Sequence, residues 1–158
     1  MKREDTVDFN IKVAWHAISR MYNLYGQHFD VTTSNGFVLL NIDVEHGTPA
    51  TKIAPLMGLE SRSLTRILKS MEEKGWICRE KDPEDGRSVR IRLTDLGKEK
   101  REISRLSVKQ FNKKVKELVT DEDLHNFFKV IQTINAVAED KDYINHFVEQ
   151  LKLELATV

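Results

Sequence analysis

Residues 61–94, SRSLTRILKSMEEKGWICREKDPEDGRSVRIRLT, contain the strongest structural signals in the chain. Its first part, residues 61–74, is strongly amphipathic, because apolar side chains recur at the spacing of one helical face: Leu64, Ile67, Leu68 and Met71. The opposite side of this helix carries hydroxyl groups and cations: Arg62, Thr65, Arg66 and Lys69. Gly75 ends the helix. We therefore expect one face to lie in a core and the other to be open to solvent or a partner.

The second part of the stretch predicts a β-hairpin. WICREK is followed by the polar turn sequence DPEDG, and then by SVRIRLT. In the last segment Val89, Ile91 and Leu93 alternate with polar residues, which is typical of a strand with one face in water. The hairpin therefore has a long polar tip.

A first helix is predicted upstream over residues 34–46. Phe37, Leu40 and Val44 are in helical phase, and either Thr32 or Thr33 can cap the N-terminus. Gly47 supplies the stop.

A second helix is predicted in TPATKIAPLMG, residues 48–58, with Thr48 or Thr51 as its N-cap and Gly58 as its stop. Pro55 lacks the N–H group that an interior residue donates, so we expect this helix to start late or to kink.

Long helices are predicted at both ends of the chain. All glycines and prolines lie between residues 26 and 97, which leaves both flanks without turn signals. The first flank predicts a helix of about 22 residues, with one apolar face made of Ile11, Trp15, Ile18, Tyr22, Tyr25 and Phe29. In the last flank Thr94 caps a helix to about Leu118, Thr120 caps another, and the pattern restarts around Asp140.

These flanks carry more apolar surface than the small middle can cover. We therefore expect them to pack with each other and with a second copy of the chain. The alternative is a closed monomeric helical bundle.

Length and composition limit the classes of protein to which the chain can belong. The 158 residues are 40% hydrophobic and 32% charged, which excludes disordered, collagen-like and membrane-spanning chains and indicates a soluble domain. The chain has one cysteine, Cys78, and a polar N-terminus, which favour a cytoplasmic protein. Its five histidines lack zinc-site spacing, so we expect no metal and no cofactor. No phosphate loop, HExxH motif or nucleophile elbow is present, so no enzyme is predicted.

The net charge of zero hides an uneven distribution. Residues 52–101 contain 13 basic and 9 acidic side chains, a net charge of +4, whereas the segments on either side carry −2 each. A basic middle between mildly acidic flanks is compatible with a phosphate-binding surface.

The predicted elements have the arrangement of a winged helix-turn-helix. Two helices are joined by a tight turn, the second is basic on its outer face, and a hairpin with an arginine at its tip follows. An α-helix fits the major groove of B-DNA, where arginine, serine and threonine can meet bases or phosphates. A hairpin tip beside it can insert an arginine into the minor groove.

Four segments carry a family resemblance: SLTR (63–66), MEEKGWI (71–77), DPEDGR (82–87) and IRLTDLG (91–97). Together they resemble the multiple-antibiotic-resistance regulator (MarR) family. The resemblance implies an α+β, mainly α, winged-helix homodimer. Such a protein binds pseudo-palindromic double-stranded DNA operators and is usually a repressor released by a small molecule or an oxidant. It implies a single domain over 1–158, with a winged core at 32–97 and dimerisation helices at 7–29 and 98–157.

The same resemblance places Arg87 in the minor groove and gives Asp85 the task of holding that arginine. The full set of predicted DNA-binding residues is Ser61, Arg62, Ser63, Thr65, Arg66, Lys69, Asp85, Arg87 and Arg90. A surface role remains the alternative for the helix cations, and a merely solvated strand face for Arg90. Glu60 departs from the family pattern because a small hydroxyl residue usually caps this helix, which shifts the expected start to Ser61.

Three further expectations concern regulation and partners. Trp15, Tyr22, Phe29 and Phe37 line an effector pocket or, alternatively, belong to plain core. Cys78 supports a redox-responsive regulator as an alternative mechanism. A winged-helix module that binds protein and no DNA is the remaining alternative.

Overall fold

Seven α-helices and three short β-strands make up the part of the chain that the computed structural model describes, residues 2–58, 60–83, 85–86 and 88–156. The elements are α1 Val7–Gln27, α2 Thr33–Leu40, β1 Thr48–Pro49, α3 Ala50–Leu56, α4 Ser61–Glu73, β2 Ile77–Lys81, β3 Val89–Leu93, α5 Asp95–Lys116, α6 Asp121–Glu139 and α7 Lys141–Ala156. Two compact units result, Met1–Gln110 and Phe111–Val158. The predicted mainly α fold with a small antiparallel sheet is confirmed.

The N-terminal helix α1 follows a single 3-10 turn, Arg3–Asp5, and is 21 residues long, which confirms the predicted length. It packs on α2 through Asn23, whose Oδ1 accepts the backbone N–H of Thr33 at 2.8 Å. Phe29 lies beyond the end of α1, in the connection to α2. The aromatic face of α1 therefore ends before Phe29.

Helix α2 begins as predicted and ends early. Thr32 caps it by accepting the N–H of Asn35 at 3.2 Å. The expectation of a helix to residue 46 is wrong, because α2 ends at Leu40. The Asp43 carboxylate accepts the N–H groups of Glu45 (3.0 Å) and His46 (2.6 Å). Such local bonds offer the backbone an alternative to the helix.

Helix α3 is short and starts differently from the prediction. Its N-cap is Pro49, without a side-chain cap bond, so neither Thr48 nor Thr51 has the expected role. Thr48 belongs to β1, and its hydroxyl accepts the N–H of Asp43 at 2.9 Å and donates to the carbonyl of Asn41 at 3.2 Å. Pro55 lies in the last turn of α3, one residue before its end.

The sheet has the order β1-β3-β2 and is antiparallel throughout. The predicted hairpin is confirmed, with Ile77 opposite Leu93 and Lys81 opposite Val89. The third strand, β1, was not predicted; it pairs Thr48 with Ile91. Since β1 is only two residues long, it carries no alternation from which a strand could be recognised.

Helix α4 contributes the predicted apolar face to the core. Leu64, Leu68 and Met71 are buried, and Ile67 packs against them in part. The rest of the core is Val31, Val38, Leu39, Ile42, Ile53, Ala54, Trp76, Ile77, Ile91 and Leu93. This packing fixes which side of α4 faces outward.

Trp76 connects three elements of the first unit. Its ring lies 4.9 Å from Nζ of Lys74 and 5.6 Å from Nζ of Lys100, within the range of cation–π attraction. Lys74 also binds both carboxylate oxygens of Asp30, at 2.8 and 2.7 Å, and Lys100 donates to the carbonyl of Phe29 at 2.6 Å. The α1–α2 connection is thereby fixed to the end of α4 and the start of α5.

The C-terminal helices begin where the caps predict. Thr94 accepts the N–H of Gly97 at 3.0 Å at the start of α5, and Thr120 accepts that of Asp123 at 3.0 Å at the start of α6. Asp140 accepts the N–H groups of Asp142 and Tyr143, each at 3.0 Å, where α7 begins.

Neither α6 nor α7 buries a residue. Their exposed apolar side chains are Phe127, Phe128, Val130, Val137, Tyr143, Ile144, Phe147, Val148, Leu151, Leu153 and Leu155. No helix among the described residues is long and apolar enough to cross a bilayer.

Candidate nucleic-acid interface

The outer face of α4 presents the predicted polar side chains. Arg62, Ser63, Thr65, Arg66 and Lys69 are all exposed, opposite the buried leucines of the same helix. The helix starts at Ser61 as expected, although the Ser61 side chain is outside the described part of the molecule. Glu60 occupies the N-cap and makes no side-chain cap bond.

The cations on this face differ in their pairing. Within the described part of the chain, Arg62 and Arg66 form no ion pair, and Lys69 lies 3.9 Å from Glu73 in a pair that is largely exposed on both sides. Exposed pairs of this kind contribute about 0–1 kcal/mol, so Lys69 can exchange its partner easily. All three side chains can therefore reach an anionic ligand.

The hairpin tip is closed by backbone hydrogen bonds. The N–H of Asp82 donates to the carbonyl of Ser88 at 3.0 Å, and the N–H of Ser88 donates to the carbonyl of Asp85 at 2.8 Å. Asp85 is exposed at this turn. Arg87 lies outside the described residues, so its role stays a prediction.

Arg90 has internal partners. Its Nη2 lies 3.1 Å from Oδ2 of Asp82, and the two side chains are only 12% and 3% exposed. Its Nη1 donates to the carbonyls of His46 and Gly47 at 3.3 and 3.4 Å. Alternation within β3 alone puts Arg90 on the wet face, and the sequence holds no signal that the loop before β1 covers it.

The other two arginines of the sheet are also paired with acids. Arg92 lies 2.6 Å from Glu80 and donates to the carbonyl of Glu45 at 2.9 Å. Arg79 lies 2.9 Å from Glu72. Within the described residues, the positive charge left without a close acid is thus concentrated on α4 more than on the sheet.

The aromatic side chains meet at a cleft between α1 and α2. The Phe37 ring centroid lies 5.6 Å from that of Trp15 and 6.3 Å from that of Tyr22. Tyr22 and Phe37 line a narrow pocket of about 30 Å³, and burial raises the pKa of the Tyr22 hydroxyl. Trp15 lines a neighbouring open groove, whereas Phe29 lines neither.

Side chains of α5 complete the narrow pocket. Ile103, Ser104, Ser107 and Val108 line it, and sequence reasoning missed all four. They lie on a charged helix whose local pattern does not indicate which turn meets α2. A volume of about 30 Å³ holds one or two water molecules, so a larger ligand requires the cleft to open.

Cysteine and the metal-ligating side chains were also located in the structure. Cys78 is exposed on β2, and the redox alternative stays a prediction. No group of three or more metal-ligating side chains occurs among the described residues.

Comparison with known proteins identifies the family. The MarR family profile matches residues 31–89, from just before α2 to the start of β3. The transcriptional regulator SarZ of Staphylococcus saprophyticus is 33% identical over 124 residues, which cover 75% of this chain and 85% of that relative. The chain belongs to the MarR family. This MarR-family protein is a DNA-binding transcriptional regulator, as predicted.

Solved MarR-type structures share the fold. MepR of Staphylococcus aureus, solved as a DNA complex, superposes with a TM-score of 0.76 at 18% identity, over 83% of this chain and 97% of MepR. CouR of Rhodococcus jostii, solved with p-coumaroyl-CoA, gives a TM-score of 0.73 at 19% identity, over 85% of this chain and 94% of CouR. In this MarR-family fold, α3 and α4 form the helix-turn-helix and β2–β3 form the wing.

Proposed function

We propose that this MarR-family regulator is a homodimeric repressor that binds a pseudo-palindromic operator and is released by a small molecule. The outer face of α4 carries the proposal. It presents two arginines without ion-pair partners in the described part of the chain, together with two hydroxyl residues. An α-helix fits the major groove, where arginine binds guanine or phosphate and serine and threonine bind bases or phosphates.

The wing extends this contact into the adjacent minor groove. In the proposal Arg87 enters that groove and Asp85 positions it, while Ser61, Arg62, Ser63, Thr65, Arg66 and Lys69 face the major groove. A narrow minor groove has an enhanced negative potential, which favours an inserted arginine. Arg90 is assigned no contact with DNA, because its side chain is 12% exposed and paired with Asp82.

Dimerisation is supported by the apolar surface of the second unit. Phe127, Phe147 and Leu151 are 54%, 45% and 40% exposed on helices that bury no residue. Large contiguous apolar surfaces mark protein interfaces. Binding of such a dimer to two successive major grooves requires its two α4 helices to lie about 34–36 Å apart, one turn of B-DNA.

The effector site in this proposal is the cleft lined by Tyr22, Phe37 and Ser104. Aromatic walls with a few hydroxyl groups suit a small aromatic or amphipathic molecule. Since the pocket is narrow as it stands, binding of such a molecule would separate α2 from α1 or α5. CouR, which shares the fold, is a relative whose structure contains a small molecule.

The proposal gives the protein no catalytic role and places it in the cytoplasm, where its operator would be. The sequence lacks the common catalytic motifs, and the family is one of regulators.

The test is a comparison of Arg66→Ala with Arg105→Ala in DNA binding. Arg105 is a matched control, because it lies on α5 and its loss removes the same charge from an exposed pair with Glu102. We expect Arg66→Ala to weaken operator binding by roughly 5- to 150-fold, the effect of losing one specific arginine contact. We expect Arg105→Ala to bind like the wild type.

Fluorescence anisotropy over a series of salt concentrations measures both variants against duplexes selected from the source genome. Affinity of the wild type should fall steeply with salt, since phosphate contacts release counterions. Equal affinity of Arg66→Ala and the wild type would refute the assignment of α4. Absence of any complex at low salt would favour a module that binds protein instead.

A further inference from the structure

The buried ion pair between Arg90 and Asp82 lies at the base of the wing tip. Arg90 is the second residue of β3, and Asp82 directly follows β2. Their charged atoms are 3.1 Å apart, and Asp82 is almost completely buried. Such a buried ion pair resists separation, because each charge would remain in the interior without a compensating partner.

Asp82 transmits this restraint to the tip through its other oxygen. Oδ1 accepts the N–H of Asp85 at 3.2 Å, and the backbone N–H of Asp82 donates to the carbonyl of Ser88 at 3.0 Å. One carboxylate therefore binds the strand arginine with one oxygen and shapes the turn with the other. These bonds join Asp82, Asp85 and Ser88.

Arg90 is itself anchored outside the hairpin. It donates to the carbonyls of His46 and Gly47, which precede β1. A chain of contacts thus runs from the loop before β1, through Arg90 and Asp82, to the backbone of Asp85. The sheet body and the tip are joined by side chains as well as by the strands.

We propose that Arg90 is a positioning residue for the wing: with Asp82 it holds the tip in the conformation that DNA binding requires, without itself touching DNA. This inference rests on the proposed function, in which Arg87 is the wing contact. From residue type alone, Arg90 indicates only a solvated strand face and Asp82 only a polar turn; the inference gives both a role in positioning the wing.

The first measurement uses the 158-residue chain without DNA. Amide hydrogen exchange, followed by NMR, reports the opening of the turn at Asp82, Asp85 and Ser88. We expect Arg90→Met to accelerate exchange at these amides by about tenfold or more, as local opening becomes easier. Arg92→Met is the control, since Arg92 lies on the same strand and pairs with Glu80 rather than with the tip. Unchanged exchange in Arg90→Met would overturn the inference.

The second measurement is a double-mutant cycle on DNA affinity, using a duplex that the wild type selects from a randomised library. We expect Arg90→Met to weaken binding by about tenfold in the wild-type background, comparable to the loss of one arginine contact. In the Arg87→Ala background it should change affinity less than about twofold, because the contact that it positions is already gone.

Equal losses in both backgrounds would overturn the inference, since Arg90 would then act independently of the wing contact. The effect of Arg92→Met should be the same in both backgrounds; coupling as strong as that of Arg90→Met would also overturn it. If Arg90→Met fails to fold, Arg90→Lys and Asp82→Asn enter the same cycle.

The outcome also separates this inference from the proposed function. If the wild type selects no duplex, the proposed function fails and the DNA role of the tip fails with it. If the wild type binds DNA and the cycle is additive, only the positioning role fails.

Discussion

Gly47 is a position where the cost of one added methyl group can be divided into two parts. Its φ of +66° lies in the left-handed region, and an added Cβ would lie 2.6 Å from the carbonyl oxygen of Ile91 and 2.8 Å from Cγ of Arg92. The Ile91 contact is with the backbone of β3, which cannot move without loosening its pairing with β1. Gly47→Ala therefore adds both backbone strain and overpacking.

The two contributions can be separated with Gly75→Ala. Gly75 has a similar φ of +70°, but an added Cβ meets no atom within 4 Å. A left-handed residue with a side chain costs roughly 1–2 kcal/mol, and overpacking costs roughly 1–3 kcal/mol more. We expect Gly75→Ala to lower the free energy of unfolding by roughly 1–2 kcal/mol and Gly47→Ala by roughly 2–5 kcal/mol.

Urea unfolding followed by circular dichroism, at one fixed protomer concentration, measures both losses. The informative quantity is the difference between the two variants, because the backbone strain is nearly common to them. Equal losses would contradict the predicted overpacking, since the strand contacts of Gly47 would then have no energetic consequence.

Two further predictions concern dimerisation and pH. Phe147→Glu on α7 should shift the protein toward monomer in sedimentation equilibrium, because a carboxylate replaces apolar surface at the proposed interface. His146→Glu should not, because His146 lies outside the apolar stripe of α7, about 100° around the helix from Phe147. A monomeric wild type would contradict the proposal. The hydrogen bond from Lys74 lowers the pKa of Asp30 below its usual 3.8, so this pair stabilises the fold above about pH 4 and loses that effect as pH falls through the folded-state pKa. The stability difference between the wild type and Asp30→Asn should therefore shrink in urea titrations below pH 4, and a difference independent of pH would count against the pair.

The features that the sequence predicted correctly depend on local patterns. Leu64, Leu68 and Met71 repeat at helical spacing, and the alternation around Ile91 identifies β3 without knowledge of the rest of the fold. The cap at Thr120 was likewise readable, because the hydroxyl and its N–H partner are three residues apart.

The errors arise where short-range polar bonds compete with the helix. Apolar residues continue in phase to Val44, which favoured a helix to residue 46. The Asp43 carboxylate instead binds the backbone at Glu45 and His46, and the chain turns into β1. Periodicity counts apolar positions and does not register this competition.

The remaining differences between the expected and the observed structure come from contacts between segments that are distant in the sequence. Arg90 is covered by a loop 44 residues earlier in the chain, which the alternation of β3 cannot indicate. Ser104 and Ser107 face the cleft only because α5 packs there. The DNA contacts predicted for α4 and the wing stay predictions, and the exposed face of α4 supports the former.

The placement of the two tryptophans gives the protein a built-in pair of optical probes. Trp76 is 2% exposed between two lysines, whereas Trp15 is 47% exposed beside Phe37 at the edge of the cleft. A collisional quencher in water reaches the indole of Trp15 and is excluded from that of Trp76. Single replacement of either tryptophan by phenylalanine therefore separates two fluorescence signals, one for events at the cleft and one for the integrity of the core behind α4.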